Sequence, residues 1–341
     1  MTGVDLVDPT VDRRWADLAD ARGDIFHSPS WMRALRETYG FEPRARVTES
    51  SAIAYCEIDD AMGPRIVSLP FSDCCDPFVT SAADWTDVVA PLLDLGVPVH
   101  LRCRHDDRAA ATEKLEVVKR SRWHRVDVTP PADEIWSALD SSARRAVRRA
   151  QSNGVTVRPL EGEAGVRAFH ALHVGLRKSK YRLLAQPLAF FLALMNEFEE
   201  HNRWMPLGAY VDDVLVAATV YIRYGDTLFY KFNTSSTAGL ELRPNNLLLW
   251  EGVLLAQQIG VRTLDLGPSD DDQPGLIRFK RHHGGVESEL RFLRFQPPGW
   301  SDPRRAEVGA TLTHMTEALT EPGVSDAVCA AAGDALYRYF A

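Results

Sequence analysis

No stretch of the sequence reaches the ~18 uninterrupted apolar residues that a membrane-spanning helix requires. The opening MTGVDLVDPTVDRRW also lacks the apolar core of a secretory leader. Cysteine is scarce: five residues, at 56, 74, 75, 103 and 329, with no CxxC spacing, and the adjacent Cys74 and Cys75 could be bridged only with strain. This usage fits a reducing compartment, and a cytoplasmic protein without a membrane span is expected. Positive charge is in deficit, with 39 Lys and Arg against 47 Asp and Glu for a net charge of −8. Such a balance argues against DNA as a partner, although a local basic stripe remains compatible with it. Neither GxxxxGK[ST] nor GxGxxG occurs, so P-loop and dinucleotide chemistry have no sequence basis. His170 and His173 sit three apart with no third ligand at a recognisable spacing, and the neighbouring His282 and His283 form a poor chelate, so no metal is expected.

What is present is an ordinary globular composition, 45% hydrophobic and 25% charged, over 341 residues. That length suits two domains of ~150 residues with an appendix. Trp31, Leu35 and Tyr39 recur at helical spacing after Ser-Pro-Ser. ARVTESSAIAYCEI, RIVSLPF and VPVHLRC read as strands, with a helix around DWTDVVAPLLDL. EIWSALDSSARRAVRRAQSNG reads as one helix: Ile135, Leu139, Ala143, Ala146, Val147 and Ala150 share a face, and four arginines, 144, 145, 148 and 149, form a stripe opposite. Beyond it come a strand, two helices, a three-strand meander, a helix over about 245–259, the strand TLDL, a short helix PGLIRFK and the strand ESELRFLRF. The expected fold class is α+β. The expected domains are residues 1–130, residues 131–297 and a linker with a short helical tail over 298–341.

Three places could carry chemistry. In TLDL, Leu264 and Leu266 point to one face and Asp265 to the other. Gly267-Pro268 is expected to end that strand, leaving Ser269 to Asp272 in an exposed acidic loop. A carboxylate there could receive a proton from an amine or orient it. Lys280, beside Phe279 and before Gly284-Gly285, could turn into a cleft and stabilise an oxyanion or contact a donor phosphate. SLPFSDCCDP brings Phe71, Ser72 and Asp73 to a strand end, where loops often carry sites. Arg144 and Arg148 could bind phosphates. Tyr230 in TLFYKFN, with Arg243 and Asn245 in LRPNN, completes the expected substrate-binding set.

FHSPSWMRAL, LPFSD, SARRAVRRAQSNGVTVR, LRPNNLLLWEGVLLAQQIGVRTLDLG and GLIRFKRHHGG occur in an order that resembles the FemAB-like branch of the GNAT acyltransferase superfamily. The resemblance implies two GNAT-like domains facing a shared cleft. It implies transfer of an acyl group, often aminoacyl from charged tRNA, to a primary amine. It also places a Phe-Lys pair, here Phe279 and Lys280, near the donor ester. Acetyl-CoA enzymes hold pyrophosphate on [RQ]xxGx[GA]; here LRPNN has a proline without an N–H and no glycine, which favours charged tRNA over acyl-CoA as donor. The long coiled-coil arm of the cell-wall members has no counterpart, leaving a small molecule, peptide or glycan precursor as the amine acceptor. The expected activity is thus acyl or aminoacyl transfer, with catalytic roles for Lys280 and Asp265. No tightly bound cofactor is expected, because the activated donor is a co-substrate. The alternatives are an acyl-CoA-dependent N-acyltransferase and a non-catalytic ligand-binding protein on the same fold.

Overall fold

The computed structural model describes residues 3–104, 114–237 and 239–341. The chain begins with β1 (Asp5–Val7), α1 (Arg13–Arg22) and α2 (Pro29–Tyr39). The SPS signal is the start of α2: Ser28 caps it by accepting from Trp31 N, Pro29 occupies the first turn, and Gly40 ends it at φ 69°. β2 (Pro43–Val47), β3 (Ala52–Ile58), β4 (Arg65–Val67), α3 (Ala82–Val88), α4 (Ala90–Leu93) and β5 (Val99–Cys103) follow. Next is β6 (Glu116–Asp127), a twelve-residue strand that the sequence reading passed over.

The single helix expected over 135–150 is two, α5 (Ala132–Ala138) and α6 (Ser141–Ser152). Leu139 is extended at the break, and the Asp140 carboxylate caps α6 by accepting from Ser142 N. The apolar face survives the break, with Ile135, Leu139, Ala143, Val147 and Ala150 all buried. Then come β7 (Thr156–Pro159), α7 (Gly162–Leu176) running into a π-helical turn at Arg177–Tyr181, α8 (Leu188–Glu199), β8 (Trp204–Val211), β9 (Val214–Tyr224) and β10 (Thr227–Ser235). α9 (Pro244–Gln258), β11 (Thr263–Asp270), α10 (Pro274–His282), β12 (Val286–Phe295), α11 (Pro303–Leu319) and α12 (Asp326–Leu336) complete the chain.

Two compact units result, and neither is one continuous segment. The first comprises Met1–Ser121, Ser288–Met315 and Arg338–Ala341, and the second Arg122–Glu287 and Thr316–Tyr337. The tail is therefore divided between the units, and most of β12 lies with the first, where it pairs antiparallel with β5. In the first unit the strands run β1-β2-β3-β4-β5-β12, antiparallel except for the parallel β4–β5 pair. In the second they run β6-β11-β10-β9-β8-β7, with β8, β9 and β10 an antiparallel meander and β10–β11 parallel. Both units thus contain an antiparallel meander followed by a parallel strand reached through helix, and the fold is mixed α+β as expected.

α9 is the central helix of the second unit, burying Leu247, Leu248, Leu249, Val253 and Ala256. Its close approach to β9 depends on Gly252. A methyl there would come within 2.5–2.7 Å of Tyr221 ring atoms, and the Tyr221 hydroxyl donates to Leu248 O at 2.8 Å. This packing fixes where the N-terminus of α9 points. All five cysteines are buried and unbridged. Among the described residues, no helix is long and apolar enough to cross a membrane.

Candidate functional site

The N-terminus of α9 opens into a cavity of about 510 Å³ in the second unit. α6 contributes Ser142, Arg145 and Arg149 to its wall, the start of α9 contributes Arg243 and Asn246, and α10 contributes Phe279, His282 and the following His283. The local sequence explains this gathering. Arg243 takes a left-handed conformation (φ 62°, ψ 34°) and Pro244 starts the helix with a preset φ. Asp140 N donates to His282 O at 3.0 Å and Ser142 Oγ meets His282 Nδ1 at 2.9 Å, tying α6 to the end of α10. Among the described residues, Arg149 and Arg243 make no ion pair, while Arg145 donates to its own helix at Ser141. Three guanidinium groups line this cavity at the positive end of a fifteen-residue helix, an arrangement that can attract an anion.

His283 is buried in this wall, and burial pushes it down to about 4. It is neutral at pH 7, its Nδ1–H donating to Phe279 O at 2.8 Å and its Nε2 lying 3.4 Å from Asn246 Nδ2. The glycines that follow have separate tasks. Gly284 sits at φ 86°, and a methyl on Gly285 would stand 2.8 Å from Lys280 O.

The two expected catalytic residues, Asp265 and Lys280, are not among the residues that line this cavity, and their expected roles are revised. β11 does not stop at Gly267-Pro268. Gly267 takes φ 66°, the strand continues to Asp270, and Ser269 is buried, so only Asp271 and Asp272 of the acidic run are exposed. Asp265 does face away from Leu264 and Leu266, but it is buried. Its Oδ2 accepts from Trp123 Nε1 and Arg125 Nε, both at 2.8 Å, and its Oδ1 from Gly267 N at 2.8 Å. A carboxylate with these donors is a structural anchor for β6 and β11, not an exposed proton acceptor. Lys280, 4% exposed, donates to Gly267 O at 3.0 Å and Pro268 O at 2.7 Å. Its charge holds the irregular segment of β11, whereas its neighbour Phe279 lines the cavity. Beside them, hydrogen bonds from Arg281 and Arg122 hold Glu287 down to about 2. Trp123, Arg125 and Arg122 come from β6, so their role was invisible once that strand was missed.

The remaining expected residues divide between cavity and scaffold. Arg243 lines the cavity. Asn245, one residue before Asn246, turns to Ser235 Oγ (3.4 Å) and Asn233 Nδ2 (3.3 Å). Arg144 donates to the carbonyls of Ser137 (2.5 Å) and Leu139 (2.7 Å), capping α5, and Arg148 lies over the Trp136 ring at 5.5 Å. Their companions Arg145 and Arg149 face the cavity instead, because the break at Leu139 gives Arg144 free carbonyls to cap. Tyr230 packs edge-on against Tyr221, and burial pushes its phenol up. Phe71, Ser72 and Asp73 belong to the first unit. Ser72 is buried and accepts from Trp31 Nε1 at 2.8 Å, Phe71 packs on Tyr39, and Asp73 is half-buried. His170 and His173 bond to Gln186, in agreement with their reading as ordinary helix residues.

A second cavity of this unit, about 500 Å³, lies among α7, the π-helical turn, Ser235–Thr237 and residues 320–326. Its cations are engaged: Lys178 bonds Val324 O and Asp326, and Arg182 bonds Thr320 O.

Residues 137–281, which include most of the lining of the cavity at the start of α9, match the family model described as acetyltransferase (GNAT) domain. No curated protein sequence matches the chain. Among solved structures, FemX shares the fold at a TM-score of 0.62 and 12% identity, over 84% of this chain and 96% of that one. The C-terminal domain (DUF2156) of a putative lysylphosphatidylglycerol synthetase from Agrobacterium fabrum aligns at 0.56 and 13% identity, over 88% and 95%. A tandem GNAT protein from the clavulanic acid biosynthesis pathway aligns at 0.55 and 12%, over 88% and 100%. Residues 137–281 are thus similar to a GNAT acetyltransferase domain, and the fold of the chain is shared with a tandem GNAT protein.

Proposed function

We propose that the protein transfers an aminoacyl group from charged tRNA to a primary amine of a small molecule, peptide or glycan precursor, and that the cavity at the start of α9 holds the phosphates at the donor's end. The observation that carries this reading is the set of Arg145, Arg149 and Arg243 around a cavity of about 510 Å³. A glycine-rich cradle binds pyrophosphate through backbone N–H groups; LRPNN has the Arg243 guanidinium instead, joined in the cavity wall by Arg145 and Arg149 of α6, and such side chains suit phosphates spaced along a nucleic-acid backbone. The FemAB-like resemblance points the same way. Phe279 supplies an apolar face in the same wall for the donor's terminal ring or acyl chain.

In the reaction, the amine nitrogen attacks the ester carbonyl, a C–N bond forms, the ester C–O bond breaks, and a proton passes from the amine to the departing ribose hydroxyl. His283, held down to about 4, is too weak a base to lead this step at neutral pH. The main contributions are therefore positioning and charge, since the ester is already activated. The second cavity, with Ser235, Ser236, Thr237 and Asp326 in its lining, is the proposed acceptor side. An acyl-CoA donor is the second reading, supported by the GNAT match. Competition separates the two: an RNA minihelix ending in the acceptor sequence should protect the cavity arginines from guanidinium-directed modification, with coenzyme A giving no protection. Protection by coenzyme A alone would favour the second reading.

A further inference from the structure

The first unit holds a cavity of about 470 Å³ whose charge the acyl-transfer account does not use. β5 contributes His100, the end of β12 Arg294 and Gln296, and α11 with the loop before it Trp300, Asp302 and Arg305. Three basic side chains face one carboxylate, and that carboxylate is engaged: Asp302 Oδ1 caps the seventeen-residue α11 by accepting from Arg305 N at 3.2 Å. Arg294 reaches Glu116 at 3.0 Å through one terminal nitrogen, but its Nε is buried with no hydrogen-bond partner. Among the described residues, the Arg305 guanidinium makes no ion pair. Burial, followed by the charges of Arg65 and Arg294, holds Arg305 below the usual arginine range.

His100 reports the same excess. Burial and the charges of Arg305, Arg294, Arg65 and Arg102 push it down to about 4. The carboxylates of the neighbourhood include Asp302, Asp60 and Glu116; Asp60 is bound to the buried Arg65 at 2.8 Å, and Arg65 Nε also donates to Ala341 O at 3.2 Å. Gathering like charges around one half-buried cavity is unfavourable unless a counter-charge enters. An orphaned guanidinium N–H, an unpaired arginine and the N-terminus of α11 all favour the same sign of occupant. The volume lies in the range of small-molecule sites, and Trp300 and Met62 supply an apolar wall.

We propose that this cavity is a second anion site, taking a small phosphate or diphosphate ester whose charge meets Arg294 and Arg305 and whose organic part rests on Trp300 and Met62. The site is independent of the donor cavity, being built entirely from the first unit.

The test is calorimetric titration of the full chain with pyrophosphate, together with NMR titration of the His100 ring signal, assigned through His100→Asn. Arg305→Gln should weaken one class of pyrophosphate site at least tenfold, and Arg149→Ala should leave that class intact. Saturating pyrophosphate should raise the midpoint of the wild-type His100 titration by about one pH unit or more. Binding that disappears in Arg149→Ala and is untouched by Arg305→Gln would overturn the proposal. So would a His100 midpoint unmoved by saturating pyrophosphate, a readout on the native chain that holds even if Arg305→Gln does not fold.

Discussion

Lys280→Met separates two roles that the sequence alone could not. In the structure the ammonium donates to Gly267 O at 3.0 Å and Pro268 O at 2.7 Å from a position 4% exposed. Methionine keeps most of the apolar stem and removes the donor. A buried carbonyl left unpaired costs about 1–3 kcal/mol, and relief from burying the lysine charge offsets part of the loss at two carbonyls. The expected net destabilisation is about 2 kcal/mol, a fall of roughly 4–8 °C in Tm for a unit of this size. Turnover should fall with it, because the irregular segment of β11 loses its clamp, and lowering the assay temperature should recover part of the activity. Thermal denaturation and single-turnover transfer, measured on the same preparations, decide the matter. An unchanged Tm with a ~100-fold loss of turnover would refute the reasoning and return Lys280 to direct contact with the donor.

Arg149→Ala and Arg243→Ala should each raise the KM for the donor about tenfold or more with little change in Tm, since both side chains are exposed and neither holds the fold; an unaltered KM in both would remove them from donor binding. Gly252→Ala should cost about 1–3 kcal/mol by forcing Tyr221 from α9, seen as a lower denaturation midpoint, and Gly252→Ala combined with Tyr221→Phe should recover part of it. A midpoint equal to wild type would show that α9 and β9 are not packed as described. His173 and His283 are buried and pushed down to about 3 and about 4, chiefly by burial. A histidine whose folded value lies below its unfolded value of about 6.5 contributes stability above that value and loses it as pH falls toward the folded one. Each should therefore remove about 2 kcal/mol between pH 7 and pH 5. Urea midpoints at the two pH values test this, with His173→Gln losing less than wild type; identical midpoints at both pH values would contradict it.

How much of this was legible in the sequence depended on whether the controlling contacts were local. α2 could be read because its cap, its proline and Gly40 all lie within its own residues. The meander and α9 could be read from their apolar periodicity. β6 could not: its first five residues are all exposed, and Trp123 and Arg125 gain their meaning from Asp265, some 140 residues away. The break between α5 and α6 had a local signal in Asp140-Ser141-Ser142, a helix-cap pattern hidden because Leu139 and Ala143 keep the helical spacing across it. Gly267-Pro268 reads as a strand end on composition. It is not one, because Asp265 and Lys280 satisfy the backbone there from side chains the sequence does not place. The arginine stripe was visible as a stripe. Which members face the cavity followed from the break, so Arg145 and Arg149 were passed over in favour of Arg144 and Arg148.

The central claim is that donor phosphates sit on Arg145, Arg149 and Arg243 and that the acyl group goes to an amine. The most direct measurement is transfer of a labelled amino acid from charged tRNA, and of a labelled acetyl group from acetyl-CoA, to a primary-amine pool, with wild type and Arg149→Ala side by side. Turnover from charged tRNA that weakens at least tenfold in Arg149→Ala is the expected result. Turnover from acetyl-CoA alone, or tRNA-dependent turnover indifferent to Arg149→Ala, would contradict it.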